Sequence, residues 1–163
     1  MQRRTLLHLG LAVGASLALA GCGFRLSGLD HPVVTLDALA LAGADSELAR
    51  QVVPRLERAG TRIDDQAEHV LNLGPERFRE RRLSVLDSGP REVEMTLTVP
   101  YSVQRRADGA YLLDQQRLEV SERLTVNNDE LLAQDDLRDA TRERLRNQAI
   151  RQLMDRLRAL PNG

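Results

Sequence analysis

The sequence predicts an α+β two-layer sandwich, a mostly antiparallel four-stranded sheet with two helices packed on one face. Three observations predict it. From Val93 to Gln104, apolar residues (Val93, Met95, Leu97, Val99, Tyr101, Val103) alternate with Glu94, Thr96, Thr98, Pro100, Ser102 and Gln104. After an Asp108-Gly109 turn, Leu118, Val120, Glu122, Leu124 and Val126 fall on one side and Arg117, Glu119, Ser121, Arg123 and Thr125 on the other. A segment before this hairpin and a longer one after it instead repeat apolar residues at helical spacing. Period two with one apolar face describes an antiparallel sheet covered on one side, and the helices supply the cover.

In chain order, Val33–Leu41 (VVTLDALAL) is a partly alternating apolar strand that Gly43 ends. Asp45 or Ser46 can cap a helix with Glu47 in its first turn, where the dipole favours an acid. Leu48, Val52, Leu56 and Ala59 form its apolar stripe, and Gly60 stops it. Pro54 removes one internal hydrogen bond and is expected to kink the helix near Arg50. His69–Leu73 is a short strand closed by Gly74-Pro75. Phe78–Leu86 opens on four charges, and Asp87-Ser88-Gly89-Pro90 turns the chain into the hairpin. Pro100 cannot donate to a ladder, which places it at an edge or a bulge. The last helix runs from Asn128 or Asp129 to Leu160 on the stripe Leu137, Thr141, Leu145, Ala149, Leu153, Leu157. Asp139–Arg142, Glu143–Arg146 and Asp155–Arg158 are spaced to pair on its surface.

The amino terminus has a different character. Arg3 and Arg4 precede an uncharged apolar run, Leu6–Ala20. A basic flank, a short apolar core and small exit residues make a secretory signal peptide. The run is too short for a spanning helix, which needs roughly 20 apolar residues. Its exit, Leu19-Ala20-Gly21-Cys22, resembles the lipobox of bacterial lipoproteins, which implies cleavage before Cys22 and acylation of its thiol. With ~0.8 kcal/mol per buried methylene and more than one chain, such an anchor holds stably. The chain then divides into a signal peptide (1–21), a lipidated N-terminal segment (22–32) and one domain (33–160). Cys22 is the only cysteine, so no internal disulfide forms. Gly23 stands where enterobacterial inner-membrane lipoproteins resemble one another in carrying aspartate, which favours the outer membrane.

Composition narrows the function. Without the leader's two arginines, 21 arginines face 24 acids, a formal charge of −3. With no Trp, two Tyr and two Phe, the chain lacks both the charge and the stacking surfaces of a nucleic-acid binder. Every basic residue is arginine. The planar fork suits phosphate, although a coding bias toward Ala, Leu and Arg explains the same count. His31 and His69 stand alone, without metal-ligand spacing. No Gly-rich phosphate loop or nucleophile elbow occurs, and Asp135 and Asp136 open a helix, where acids are ordinary. The expectation is a non-enzyme without cofactor or metal. One charged group invites a binding reading. Arg79 and Arg81 share a strand face, Arg82 points with Ser84, and Arg91 lies across the turn. Arg81, Arg82 and Arg91 are the candidate phosphate contacts; a solvated strand end is the competing explanation.

The start Cys22-Gly23-Phe24-Arg25-Leu26-Ser27-Gly28 resembles the C-G-aromatic-basic-L-R-G start of the lipopolysaccharide-assembly lipoprotein family LptE. Leu48-Ala49-Arg50 to Gly60 is similar to that family's first helix, REVEMTLTVPYSV to its long strand, and LLAQDDLRDATRERLRNQAIRQLMDRL to its last helix. The resemblance implies a plug inside the outer-membrane β-barrel LptD, which helps that barrel assemble and lipopolysaccharide reach the outer leaflet. Basic residues that contact lipid A in the family fall at Asp87 and Gln134 here, and Arg82 and Arg91 lie near enough to substitute. Another envelope scaffold or barrel-assembly lipoprotein, or a periplasmic enzyme, is the alternative.

Overall fold

The structure, a computed structural model, describes residues 36–83, 91–126 and 131–160. Its elements run β1 (Ala38–Gly43), α1 (Glu47–Arg58), β2 (Arg62–Ile63), β3 (His69–Leu73), β4 (Arg77–Arg82), β5 (Arg91–Arg105), β6 (Tyr111–Val126) and α2 (Leu131–Arg158).

β5 is the spine. On one edge it pairs antiparallel with β6 from Arg91↔Val126 to Gln104↔Tyr111. On the other it pairs with β4 along its first half and with β3 along its second. β1 then joins β3, and β2 joins β1, both in parallel. The expected four-stranded, mostly antiparallel sheet is therefore a six-stranded mixed one. The reason is the order strand, helix, strand: α1 carries the chain back along β1, so β3 leaves in β1's direction, and only parallel pairing is open to them.

Local chemistry explains the joints. Ser46 is the N-cap of α1, its Oγ accepting from Ala49 N at 3.1 Å. The helix continues through Pro54, which lies on its exposed side. Gly43 closes β1 at φ 113°, where a side-chain carbon would fall 2.0 Å from the Leu73 carbonyl oxygen, so only glycine fits. Between β3 and β4, Gly74, Pro75 and Glu76 face Val99 and Pro100, one residue more than on β5. This bulge resolves Pro100, which sits in the central strand and not at an edge. Its carbonyl accepts from Gly74 N at 2.8 Å. Since N and C=O of one strand residue point the same way, the missing N–H faces the bulge, where the ladder is already broken.

Both helices cover one face. Leu48, Val52 and Leu56 of α1 and Leu145, Ala149, Leu153 and Leu157 of α2 join Leu39, Leu71, Leu73, Met95, Leu97, Val99, Val103, Leu118 and Val120 in one core. The expected stripes face this core, with their end members Ala59 and Leu137 only half-buried, and Asp139–Arg142, Glu143–Arg146 and Asp155–Arg158 pair at 2.7, 3.5 and 3.0 Å. Asp135 lies beyond the first turn of α2 and pairs with Arg138 at 3.6 Å, because the helix begins before it. No described helix is long and apolar enough to cross a membrane.

Candidate functional site: the two faces of the long strands

Residues directly paired across a sheet project to the same face, so the register of β4, β5 and β6 sorts their side chains into rows. Toward the helices lie Arg82–Val93–Leu124, Glu80–Met95–Glu122 and Phe78–Leu97–Val120. α2 straddles these rows with arginines. Arg138 Nε reaches Glu80 on one edge strand at 3.3 Å, and Arg144 Nε reaches Glu122 on the other at 2.7 Å. Arg142 and Arg146 stand over the Phe78 ring at 5.9 and 5.3 Å. Arg146 also meets Glu76 at 2.8 Å, and the second oxygen of that carboxylate accepts from Leu48 N, at the start of α1, at 2.6 Å. Glu76 thus ties the bulge to both helices.

The opposite face is polar, and no described element lies over it. Its rows are Glu92–Thr125, Arg81–Glu94–Arg123, Arg79–Thr96–Ser121, Arg77–Thr98–Glu119 and, at the bulge, Pro100–Arg117. Short hydroxyls form the floor, with Thr96 and Ser121 sharing a hydrogen bond of 2.8 Å. Arginines form both walls. Arg81 is paired with Glu94 at 2.8 Å. Arg77, Arg79, Arg117 and Arg123 are exposed and have no carboxylate within 4.0 Å among the described residues. The result is an open trough of about 980 Å³ between Arg77, Arg79, Arg81 and Arg117, and a second hollow beside Pro100 is lined by Asn72, Ser102 and Gln104. There Asn72 Nδ2 donates to Gln104 Oε1 at 3.0 Å.

Guanidinium forks over a hydroxyl floor offer many donors at fixed spacing, suited to phosphate, sugar or the polar wall of another protein. Among the described residues no group of three or more His, Cys, Asp and Glu is placed to hold a metal.

The expected site residues separate. Arg81 lies on the bare face. Arg82 takes the helix-side parity at the end of β4, and Arg91, half-buried with contacts of its own, shares that parity at the start of β5. His69 is half-buried on β3, and Gln134 is buried. Cys22, His31, Asp87 and the 22–32 segment lie outside the described residues. Sequence reasoning passed over Arg77, Arg117 and Arg123 as a site, because β4 and β6 meet only through β5. The alternation of β6 was the available signal, for it already set Arg117 and Arg123 on one face.

Comparison with known proteins follows the fold. The rare lipoprotein B of Shewanella oneidensis superposes with a TM-score of 0.58 at 22% identity, covering 74% of this chain and 92% of that one. A minor lipoprotein from Acinetobacter baumannii gives 0.62 at 18% identity, over 78% and 94%. The solution structure of an uncharacterized lipoprotein B from Nitrosomonas europaea gives 0.62 at 17% identity, over 76% and 83%. No curated protein sequence matches significantly. Residues 33–157 match the family described as LptE, lipopolysaccharide-assembly. The chain belongs to the LptE family of lipopolysaccharide-assembly proteins.

Proposed function

We propose that this protein is a lipid-anchored, non-catalytic subunit of outer-membrane lipopolysaccharide assembly, held through acylated Cys22 and seated as a plug within an LptD-type β-barrel. Family membership supports the assembly role. The solved relatives described as lipoproteins support the anchor. One observation carries the contact reading: no described element covers one face of the sheet, and four exposed arginines there have no described carboxylate within 4.0 Å. A surface of that kind is made for contact with phosphate, sugar or a polar barrel wall. Arg82 and Arg91, at the end of the sheet, are assigned to lipopolysaccharide phosphate as a pair, and Arg81 to the bare face with Arg79 and Arg77.

The test is affinity purification of a tagged copy from detergent-solubilised membranes. A large outer-membrane barrel recovered with it, and loss of surface lipopolysaccharide on its depletion, is the expected result. Recovery without a barrel, with surface lipopolysaccharide unchanged, would make it a different envelope scaffold. In the same cells Cys22→Ser is expected to abolish incorporation of labelled palmitate; normal incorporation overturns the anchor. In a binding assay with purified lipopolysaccharide, R82E/R91E is expected to weaken affinity, and an unchanged affinity removes that pair from the site.

A further inference from the structure

A second arginine-rich surface lies away from the bare sheet face, in the helical layer. Between the carboxyl-terminal turns of α1 and α2 runs an open groove of about 470 Å³, lined by Arg55, Arg58, Arg151 and Arg158 with Met154 and Asp155. Four guanidiniums meet one carboxylate there. Three are held in place by a single bond each: Arg55 to the Asn147 side chain, Arg58 Nε to the Pro54 carbonyl at 2.9 Å, and Arg158 to Asp155 at 3.0 Å. A guanidinium has five N–H donors, so each keeps most of its fork. Arg151 is exposed and bonded to no described residue. Helix dipoles draw arginines to last turns, which accounts for Arg55, Arg58 and Arg158. Arg151, two turns back from the end of α2, needs another reason.

Its position supplies one. Asp37, at the beginning of the described chain, accepts from Arg62 N at 3.0 Å, and Arg62 follows the end of α1 by four residues. The chain therefore enters the domain at the groove's end. Thirteen residues separate Cys22 from Leu36, a reach of at most about 50 Å when extended. On the reading that Cys22 is acylated, the tether joins the domain at this end.

We propose that the groove docks on the anionic phospholipid surface of the membrane that holds the anchor, its arginines taking phosphodiester oxygens while half-buried Met154 supplies an apolar floor. The acyl chains hold the protein to the bilayer, and the groove sets which end faces it. The inference rests on the anchor of the proposed function but is tested without it.

The folded unit, residues 34–163, carries the whole core and lacks Cys22, and solved relatives matched over 92–94% of their length are this domain by itself. Its co-sedimentation is measured with phosphatidylcholine vesicles and with vesicles that also contain phosphatidylglycerol, at low and high salt. Binding is expected only to the anionic vesicles and only at low salt. R151Q, which breaks no described bond, is expected to weaken it roughly fivefold, and R58Q/R151Q roughly 25-fold. R50Q, at the opposite end of α1 from the groove, is expected to bind as the parent does. No binding by the parent, equal binding to both vesicles, or unchanged binding by R58Q/R151Q overturns the proposal. So does a loss in R50Q equal to that in R58Q/R151Q. Because no barrel and no acyl chain is present, failure here leaves the assembly role standing, and absence of a barrel partner in cells leaves the groove standing.

Discussion

The two faces of β4–β5–β6 are built from the same residue types and end differently. Toward the helices, arginine and glutamate meet: Arg138 with Glu80, Arg144 with Glu122, Arg146 with Glu76. On the bare face, Arg81 finds Glu94, and four other arginines face solvent without a described carboxylate. The difference lies in what stands opposite. A helix lying over the sheet supplies arginines at the distance its edge glutamates need, and the apolar row between them is sealed. The bare face has only its own strands' side chains: hydroxyls too short to neutralise a guanidinium, and glutamates, of which Glu94 is taken by Arg81. Arginine is structural on one face and available on the other, a distinction that counting arginines cannot make.

Stability measurements sharpen the comparison. Leu153→Ala, at a fully buried position on the core side of α2, is expected to cost about 3 kcal/mol in urea unfolding, within the range for core truncations. Thr96→Ala on the bare face is expected to stay within about 0.5 kcal/mol. Equal losses would break the distinction. Next in size is Glu76→Ala. The Glu76 side chain is 9% exposed and its partner Arg146 19%, so removing the carboxylate leaves Arg146 only its longer contact with Glu143 and takes the acceptor from the Leu48 N–H, for about 2 kcal/mol. Glu94→Ala removes the matching pair on the bare face, where Arg81 is 68% exposed, and is expected to cost less than about 1 kcal/mol.

The smallest effect is a pH dependence on the covered face. Burial raises the Tyr101 phenol above its ordinary value, against a weaker opposing pull from Arg156. The unfolded chain then releases that proton first. The stability this residue contributes is full below about pH 10, the unfolded value, and is lost as pH rises toward the folded one. Tyr101→Phe is expected to flatten that alkaline decline in thermal unfolding; an identical decline would place its source elsewhere.

Much of this was legible in the residues, and what was not has a physical reason. The hairpin, both helical stripes and the three helix-surface ion pairs follow from periodicity, which is local. A cap at Asp45 or Ser46, of which Ser46 is the one used, and His69–Leu73 as a strand were likewise readable. The parallel joining of β1 to β3 was not drawn, because two short apolar strands carry no mark of direction; it follows only when α1 is treated as a crossover. Pro100 was readable as a bulge but not as a central one, since the extra residue lies on the other strand, at Gly74–Glu76. The arginine site was half visible. Arg79 and Arg81 were seen to share a face, and Arg117 and Arg123 another, but that these are one face depends on a register spanning three strands.

The most direct test of the account places a photo-crosslinking residue at Thr98, in the middle of the bare face, and in a second strain at exposed Ala140 on α2. Irradiation of living cells is expected to join the Thr98 variant to an outer-membrane barrel or to lipopolysaccharide, and to join the Ala140 variant at most to the barrel around it, without lipopolysaccharide. Adducts from Ala140 with none from Thr98 would contradict the assignment of the bare face as the working surface.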